Sequence, residues 1–388
     1  MIVDELRIVG STQTNVVMTA ELVRVCQRAL KRRPPEPRKE GLGQLVLPFD
    51  REIAWAATTY MRTPTRVVWD VFRSKAQRLE PLYDELVADV RADTRGLWRD
   101  RDGISVEARR VDEFAAGERQ VVGTVKNALI DGAKQAGARL HVDPDRPATR
   151  WVARLDDAGD LIVSVDLGGG SLSQRGWRRE AGAAPLREHL AAVLLMLCRY
   201  DPRTEIVVDP MCGAGTIPIE AVLAARATPR ATPILAALGL EPKGPIVPLF
   251  PDATPLAIGC DVDLQVLAAA RDNVRAARVT EHVTLQRADV ATLRPEMIAD
   301  IAREHGREPA PGLIVSNPPY GERLNEQDLV EIYTALATTC RRFPGWRAGF
   351  LVGSPIFEDV FFDIIGRPRI KKPLANANLR AYFFLFDL

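Results

Sequence analysis

Asn317-Pro318-Pro319-Tyr320 follows the apolar run Gly312-Leu313-Ile314-Val315-Ser316, so it stands where a buried strand ends. In open α/β sheets, ligands gather at the carboxyl ends of strands. These residue types suit one chemical task, methylation of an exocyclic amino group on a planar base. Such a nitrogen is a poor nucleophile because its lone pair is delocalised into the ring. A site improves it by accepting both amine hydrogens and drawing the nitrogen toward tetrahedral geometry. The Asn317 side-chain oxygen offers one acceptor and the Pro318 carbonyl a second, since proline has a fixed φ and an acceptor but no donor. Tyr320 offers a ring on which the base can stack, worth roughly 1–3 kcal/mol. Read alone, the four residues are also consistent with a Pro-Pro turn closing a strand. The order of motifs upstream favours the chemical reading.

Ile206-Val207-Val208-Asp209-Pro210-Met211-Cys212-Gly213-Ala214-Gly215-Thr216 reads as a β-branched strand, a tight glycine turn and the start of a helix. Gly213 and Gly215 allow positive φ and close approach of a ligand to the backbone. The third glycine of a dinucleotide fingerprint and the lysine of a P-loop are both missing. A second apolar strand, Pro255 to Cys260, ends in Asp261, an acid placed to bind ribose hydroxyls. A third, Val283 to Gln286, leads to Asp289, whose carboxylate can accept from an adenine amino group. Each acid alone is more often a helix cap or a solvated loop residue. Three acids at successive strand ends, followed by Asn-Pro-Pro-Tyr, form a pattern.

The strings Asp209 to Thr216 and Asn317-Pro318-Pro319-Tyr320-Gly321-Glu322-Arg323-Leu324 resemble the class I S-adenosylmethionine-dependent methyltransferases. More narrowly, they resemble the THUMP-containing RNA guanine-N2 methyltransferases, especially bacterial enzymes acting on large-subunit ribosomal RNA. The resemblance extends through Leu172 to Arg178, Ala184 to Glu188, Phe343 to Trp346 and Leu379 to Phe386, so it covers the chain from about residue 60 onward. The chain departs from the family at Ala214, where serine is common, and at Asn376-Ala377-Asn378, where a glycine is usual. The resemblance implies S-adenosylmethionine as cofactor, held by Asp209, Cys212, Gly213, Gly215 and Thr216, with Asp261, Asp289 and Asn317. It places Asn317, Pro318, Pro319 and Tyr320 at the reaction.

The implied fold class is α/β: a C-terminal Rossmann-like seven-stranded methyltransferase domain preceded by a small α+β THUMP-like RNA-binding region. The corresponding divisions are a ferredoxin-like lead-in over 1–78, a THUMP-like domain over 79–168 and the methyltransferase domain over 169–388. The apolar patterns agree in outline. Leu22, Val25 and Leu30 mark a helix, Leu45 to Leu47 a strand and Ile53 to Ala57 another helix. Leu82, Leu86 and Val90 share a helix face, Ile104 to Ala108 reads as a strand, and Val125 to Asp131 as a helix. Trp151 to Leu155 and Leu161 to Leu167 alternate like a hairpin. Gly168-Gly169-Gly170-Ser171 breaks both periodicities. Beyond it, Leu186, Leu190, Val193, Leu194 and Leu197 share a helix face, and strands are expected near 206, 257, 283, 313, 348, 369 and 381. An antiparallel last strand beside the fifth is expected from the family. The 52 residues from Asp209 to Asp261 exceed the spacing of roughly 20 in a Rossmann-like site, and seven prolines between Pro229 and Pro255 mark the excess as an insertion.

The 388 residues carry 46% hydrophobic and 27% charged side chains, the composition of a globular chain long enough for two or three domains. No apolar run reaches membrane-spanning length and the start resembles no signal peptide, so a cytoplasmic location is expected. The five cysteines form no Cys-x-x-Cys pair, so neither metal nor disulfides are expected. A net charge of +1 means that any phosphate-binding surface must be local. Candidates are Arg24 to Lys39, Arg175 to Arg179 and Arg367 to Lys372, the middle one best placed; each is as readily an ordinary solvated face. Arg323 could contact the flipped nucleotide or brace its loop. His141, His189, His282 and His305 have no carboxylate partner in sequence and no assigned role, and Cys212 reads as a small buried residue, not a nucleophile. The competing functions are transfer-RNA guanine-N2 methylation, DNA adenine-N6 or protein glutamine-N5 methylation, and a non-catalytic RNA-binding or assembly role. RNA is the expected partner, and the sequence does not set the oligomeric state.

Overall fold

The computed structural model describes residues 2–98, 100, 102–179, 186–226, 233–241, 245–320, 325–374 and 380–388. The expectations on Arg323 and the rest of 321–324, on Ala184-Pro185 and on Asn376-Ala377-Asn378 fall outside them. In chain order, the first elements are β1 (Ile2–Val9), α1 (Asn15–Val25), β2 (Arg38–Glu40), β3 (Gln44–Pro48), α2 (Arg51–Tyr60) and β4 (Arg66–Ser74). There follow α3 (Leu79–Ala92), β5 (Gly103–Arg109), α4 (Glu118–Gln135), β6 (His141–Val142), β7 (Thr149–Leu155) and β8 (Leu161–Asp166). Next are α5 (Glu188–Leu197), β9 (Ile206–Asp209), α6 (Thr216–Leu223), α7 (Pro233–Ala237), β10 (Leu256–Asp261) and α8 (Leu264–Ala276). The chain closes with β11 (Val283–Arg287), α9 (Pro295–Glu304), β12 (Leu313–Ser316), α10 (Glu326–Cys340), β13 (Arg347–Val352), α11 (Pro355–Ile364), β14 (Ile370–Pro373) and β15 (Tyr382–Asp387).

Two compact units divide these elements. The first comprises Met1–Gly10, Leu22–Leu172 and Pro229–Ile246; the second comprises Ser11–Glu21, Ser173–Thr228 and Val247–Leu388. The first unit is built on one eight-stranded sheet in the order β2-β3-β1-β4-β8-β7-β5-β6. At one end of that sheet β1 lies between β3 and β4 and is antiparallel to both, with β2 outside β3. That sheet continues without a break through β8 and β7, so residues on both sides of position 78 share it. The expected hairpin is present, with Trp151 opposite Val165 and Leu155 opposite Leu161. β1 and β4 are among the strands that the apolar periodicity misses, and each carries a buried charge. Arg7 and Asp70 pair at 2.8 Å with both side chains 1% exposed, and Arg154 and Ser164 also bond to Asp70. The described part of the proline-rich insertion contributes α7 to this unit, and Arg51 donates to the Gly239 carbonyl there.

The second unit carries a seven-stranded sheet in the order β11-β10-β9-β12-β13-β15-β14, with β15 antiparallel to β13 as expected. Alternation on its strands feeds two cores. Phe383 and Leu385 pack with Val207, Leu190 and Ile217, while Phe384 and Phe386 pack with Phe350, Phe357 and Tyr333. The parallel strands β9, β10 and β12 are buried almost end to end, which is why they read as continuous apolar runs. Ser11–Glu21 belongs to this unit although it lies near the start of the chain: Val17 sits in the core with Leu190 and Leu194, and the Ser11 hydroxyl meets His189 Nε2 at 2.7 Å. Burial pushes the His189 imidazole down to about 3, so it is neutral at ordinary pH.

Candidate methyl-transfer site

Parallel pairing brings four strand ends to one edge of the sheet. Asp261 of β10 pairs with Arg287 of β11, Gly259 with Asp209 of β9, and Ile314 of β12 with Val208. Asp289, Asp261, Asp209 and Asn317 therefore stand along that edge in spatial order, although Asp209 comes first in sequence. Three strand spacings of about 4.8 Å separate the outer two, roughly 14 Å in all. That length suits a small molecule lying across the strand ends with a second molecule at the Asn317 end.

The glycine turn after β9 has the backbone that its sequence requires. Gly213 has φ +52° and Gly215 has φ +80°, and Gly215 caps the start of α6. A Cβ at Gly213 would meet no atom within 4 Å, so this stretch of backbone borders open space. The Cys212 amide donates to the Cys260 carbonyl, and the Gly213 amide donates to Asp261 Oδ2 at 3.1 Å. The other Asp261 oxygen accepts from the Asp263 amide, which leaves lone pairs on both oxygens for a ligand diol. Asp289 is exposed and one of its oxygens caps the turn that follows, accepting from the Ala291 amide at 2.8 Å. Thr216 accepts from Arg178 Nη2 at 3.1 Å. Cys212 is buried, and burial holds its thiol well above the usual range, so it stays protonated and a poor nucleophile.

Asp209 is 2% exposed. Its Oδ1 accepts from the Ser316 hydroxyl at 2.6 Å and from the Met211 amide at 3.2 Å. Burial pushes its carboxyl up to about 7 against the pull of those two donors, with the nearby Asp261 charge adding to the rise. Asn317 is half-buried, and its side-chain oxygen is buried with no hydrogen-bond partner among the described residues. An orphaned buried acceptor is costly unless something else fills it. Pro318 is buried, while the Pro319 carbonyl accepts from the Tyr333 hydroxyl at 2.7 Å. Tyr320 lies against Gly353, where an added Cβ would come within 2.9 Å of the ring's Cδ2 and 3.1 Å of Cε2.

Four residues that hold this geometry carry no role in the sequence reading: Ser316, Tyr333, Gly353 and Asn273. Asn273 is fully buried on the inner face of α8, donating to the Ala214 carbonyl and accepting from the Arg179 amide. Its position among Leu267, Ala270 and Val274 is a readable signal, a polar residue at an apolar helical position. The basic cluster at 175–179 differs from the phosphate-binding role considered for it. Arg175 pairs with Glu220 with both side chains fully buried, and Arg178 pairs with Glu188 at 3.0 Å. Glu220 and Glu188 supply the countercharge, and Arg178 and the Arg179 amide bond to Thr216 and Asn273 beside the glycine turn. Of the other clusters, Arg38 pairs with Glu5 and Glu40, and Lys371 with Glu358.

Among the described residues no group of three or more His, Cys, Asp or Glu could hold a metal ion, and no helix is long and apolar enough to cross a membrane. The seven-stranded sheet of the second unit is that of a methyltransferase fold. Residues 175–364 match the family model described as UPF0020: RMKL-like, methyltransferase domain. Among curated proteins, the chain is 36% identical over 330 residues to the Ribosomal RNA large subunit methyltransferase K/L of Chromohalobacter salexigens. That match covers 79% of this chain and 43% of the relative, so the chain spans less than half of that protein's length. Among solved structures, SMU.472 in complex with SAH superposes with a TM-score of 0.75 at 22% identity, covering 99% of this chain and 98% of that one. TrmN from Thermus thermophilus superposes with a TM-score of 0.69 at 21% identity, covering 99% of each. At these identities the two structures speak for the fold.

Proposed function

We propose that this chain transfers the methyl group of S-adenosylmethionine to the exocyclic N2 of a guanine in RNA, with large-subunit ribosomal RNA as substrate. The observation that carries the reading is the orphaned Asn317 side-chain oxygen at the end of β12. Guanine N2 satisfies it by donating one amine hydrogen, and the Pro318 carbonyl takes the other. The Pro319 carbonyl is engaged by Tyr333, which fixes the loop that presents both acceptors. Tyr320 stacks the base over Gly353. The turn residues fit the cofactor: Gly213 and Gly215 open the backbone, Asp261 keeps free lone pairs for ribose hydroxyls, and Asp289 stands at the next strand end for the adenine amino group. When bound, S-adenosylmethionine supplies an electrophilic sulfonium methyl. The chain aligns the amine for in-line attack, and much of the rate comes from that proximity. A base inside a helix must be extruded to reach the pocket.

The choice of ribosomal RNA rests on the curated relative's name and on the sequence resemblance. The division into a ferredoxin-like lead-in over 1–78, a THUMP-like RNA-binding domain over 79–168 and a methyltransferase domain over 169–388 belongs to the same reading. In it the first unit holds RNA while the second performs the chemistry. Asn317→Ala tests the proposal: methyl transfer to ribosomal RNA should fall steeply while cofactor affinity stays near the wild-type value. Near-normal turnover at saturating cofactor and RNA would refute the amine-alignment role. Nucleoside analysis showing N6-methyladenosine, or incorporation only into transfer RNA, would refute the substrate.

A further inference from the structure

Ser316 is the last residue of β12, immediately before Asn317, and it is fully buried. Its hydroxyl donates to Asp209 Oδ1 at 2.6 Å across the β9–β12 boundary. The same Asp209 oxygen accepts from the Met211 amide, at the start of the glycine turn. That turn is tied in its second half to Asp261 through the Gly213 amide. A continuous set of hydrogen bonds thus joins the backbone beside the orphaned Asn317 oxygen to the backbone of the cofactor turn. We infer that Ser316 and Asp209 are positioning residues that lock the amine-binding loop to the cofactor loop, setting the distance over which the methyl group passes. The inference rests on the methyl-transfer reading above and assigns to that site a fixed spacing between its two halves.

An ionised Asp209 is the stronger acceptor for both donors, so the lock is tight when the carboxylate carries its charge. The titratable groups facing Asp209 are Asp261 and the thiols of Cys212 and Cys260, while β12 contributes only the neutral Ser316. Burial holds those thiols protonated, with Cys260 pushed up to about 12, and raises the Asp209 carboxyl to about 7. Turnover should therefore rise as pH rises through about 7.

The test uses the full chain, S-adenosylmethionine and transcribed large-subunit ribosomal RNA. Ser316→Ala should lower kcat on the order of tenfold to a hundredfold, the loss expected for a hydrogen bond to a charged group. Cofactor affinity by calorimetry should stay within about twofold, because such a change lies well below the cost of losing a direct contact. The alanine variant should also move the inflection of kcat to higher pH, since the serine donor is one of the groups holding the Asp209 carboxyl down. Asp209→Asn should abolish the inflection, and this keeps the inference testable if Ser316→Ala fails to fold. Wild-type methylation with an unmoved pH profile in Ser316→Ala, or an inflection surviving in Asp209→Asn, would overturn the lock alone. Loss of cofactor affinity in parallel with kcat would also overturn it, reducing Ser316 to a support of the turn. Failure of the wild-type protein to methylate the RNA would refute the proposed function and the lock with it.

Discussion

Replacing Glu220 by glutamine isolates the charge that Arg175 faces inside the second unit. The two side chains are fully buried and 3.4 Å apart, so solvent screens neither. Glutamine keeps the shape and can still accept a hydrogen bond, but it takes the Glu220 charge away from the buried guanidinium. Breaking a buried pair from one side costs about 3–5 kcal/mol, mostly from the stranded charge. Glu220 sits in α6, directly after the cofactor turn, so the loss should be read where it occurs. Native-state hydrogen exchange on the amides of α6 and β9 reports the local opening free energy, which should fall by that amount. Replacing both partners, as Arg175→Met with Glu220→Leu, removes the charge as well as its countercharge and should recover most of the loss. A Glu220→Gln cost below about 1 kcal/mol, the range of exposed ion pairs, would refute the argument. So would an Arg175→Met variant of unchanged stability whose RNA affinity loses about 0.7 from its salt slope, the signature of one phosphate contact on a single strand.

Asp261→Ala should weaken S-adenosylmethionine binding by about 1.5–3 kcal/mol while the fold persists, and unchanged affinity by calorimetry would remove the ribose assignment. Gly353→Ala should raise the KM for RNA with cofactor affinity unaffected, because the new methyl group would lie 2.9 Å from both the Arg380 carbonyl oxygen and the Tyr320 ring, of which the side chain is the freer to move; steady-state kinetics decides. The Asp209 carboxyl is raised from the ordinary value of about 3.9 to about 7, so between those values the folded chain binds more protons than the unfolded one. Stability should therefore fall as pH rises from about 4 through about 7. Asp209→Asn should gain on the wild type over that window, as melting temperatures at pH 5 and pH 8 would show.

The seven-stranded sheet was legible because β9, β10 and β12 are buried almost end to end and read as apolar runs, each closing at or beside a candidate site residue. Asp209, Asp261, Asp289 and Asn317 could be found without knowing the order in which the sheet places them. β1 and β4 were illegible for an equally physical reason. Arg7 and Asp70 interrupt their apolar patterns as if they faced water, and only the fold reveals that they face each other. The direction of a basic cluster is hidden in the same way: Arg175 looks like a surface cation until Glu220, 45 residues later, arrives beside it. Ser316 carried its signal in its position beside Asn317, but a serine closing a strand has many uses, and its partner lies 107 residues earlier.

The membership of Ser11–Glu21 in the second unit has a consequence for how the chain is made. The residues that receive this segment are synthesised long after it, with His189 lying 178 positions beyond Ser11. At about 5–20 residues per second, the segment waits roughly 10–35 s before its acceptor surface leaves the ribosome. The methyltransferase unit is therefore completed by a piece of chain older than the whole of the sheet it packs against. A fragment beginning at Ser173 would lack that piece and expose the places filled by Val17 and Ser11. A synthetic peptide spanning 11–21 should be able to take them again, turning an accident of chain order into a handle for assembling the catalytic unit from two parts.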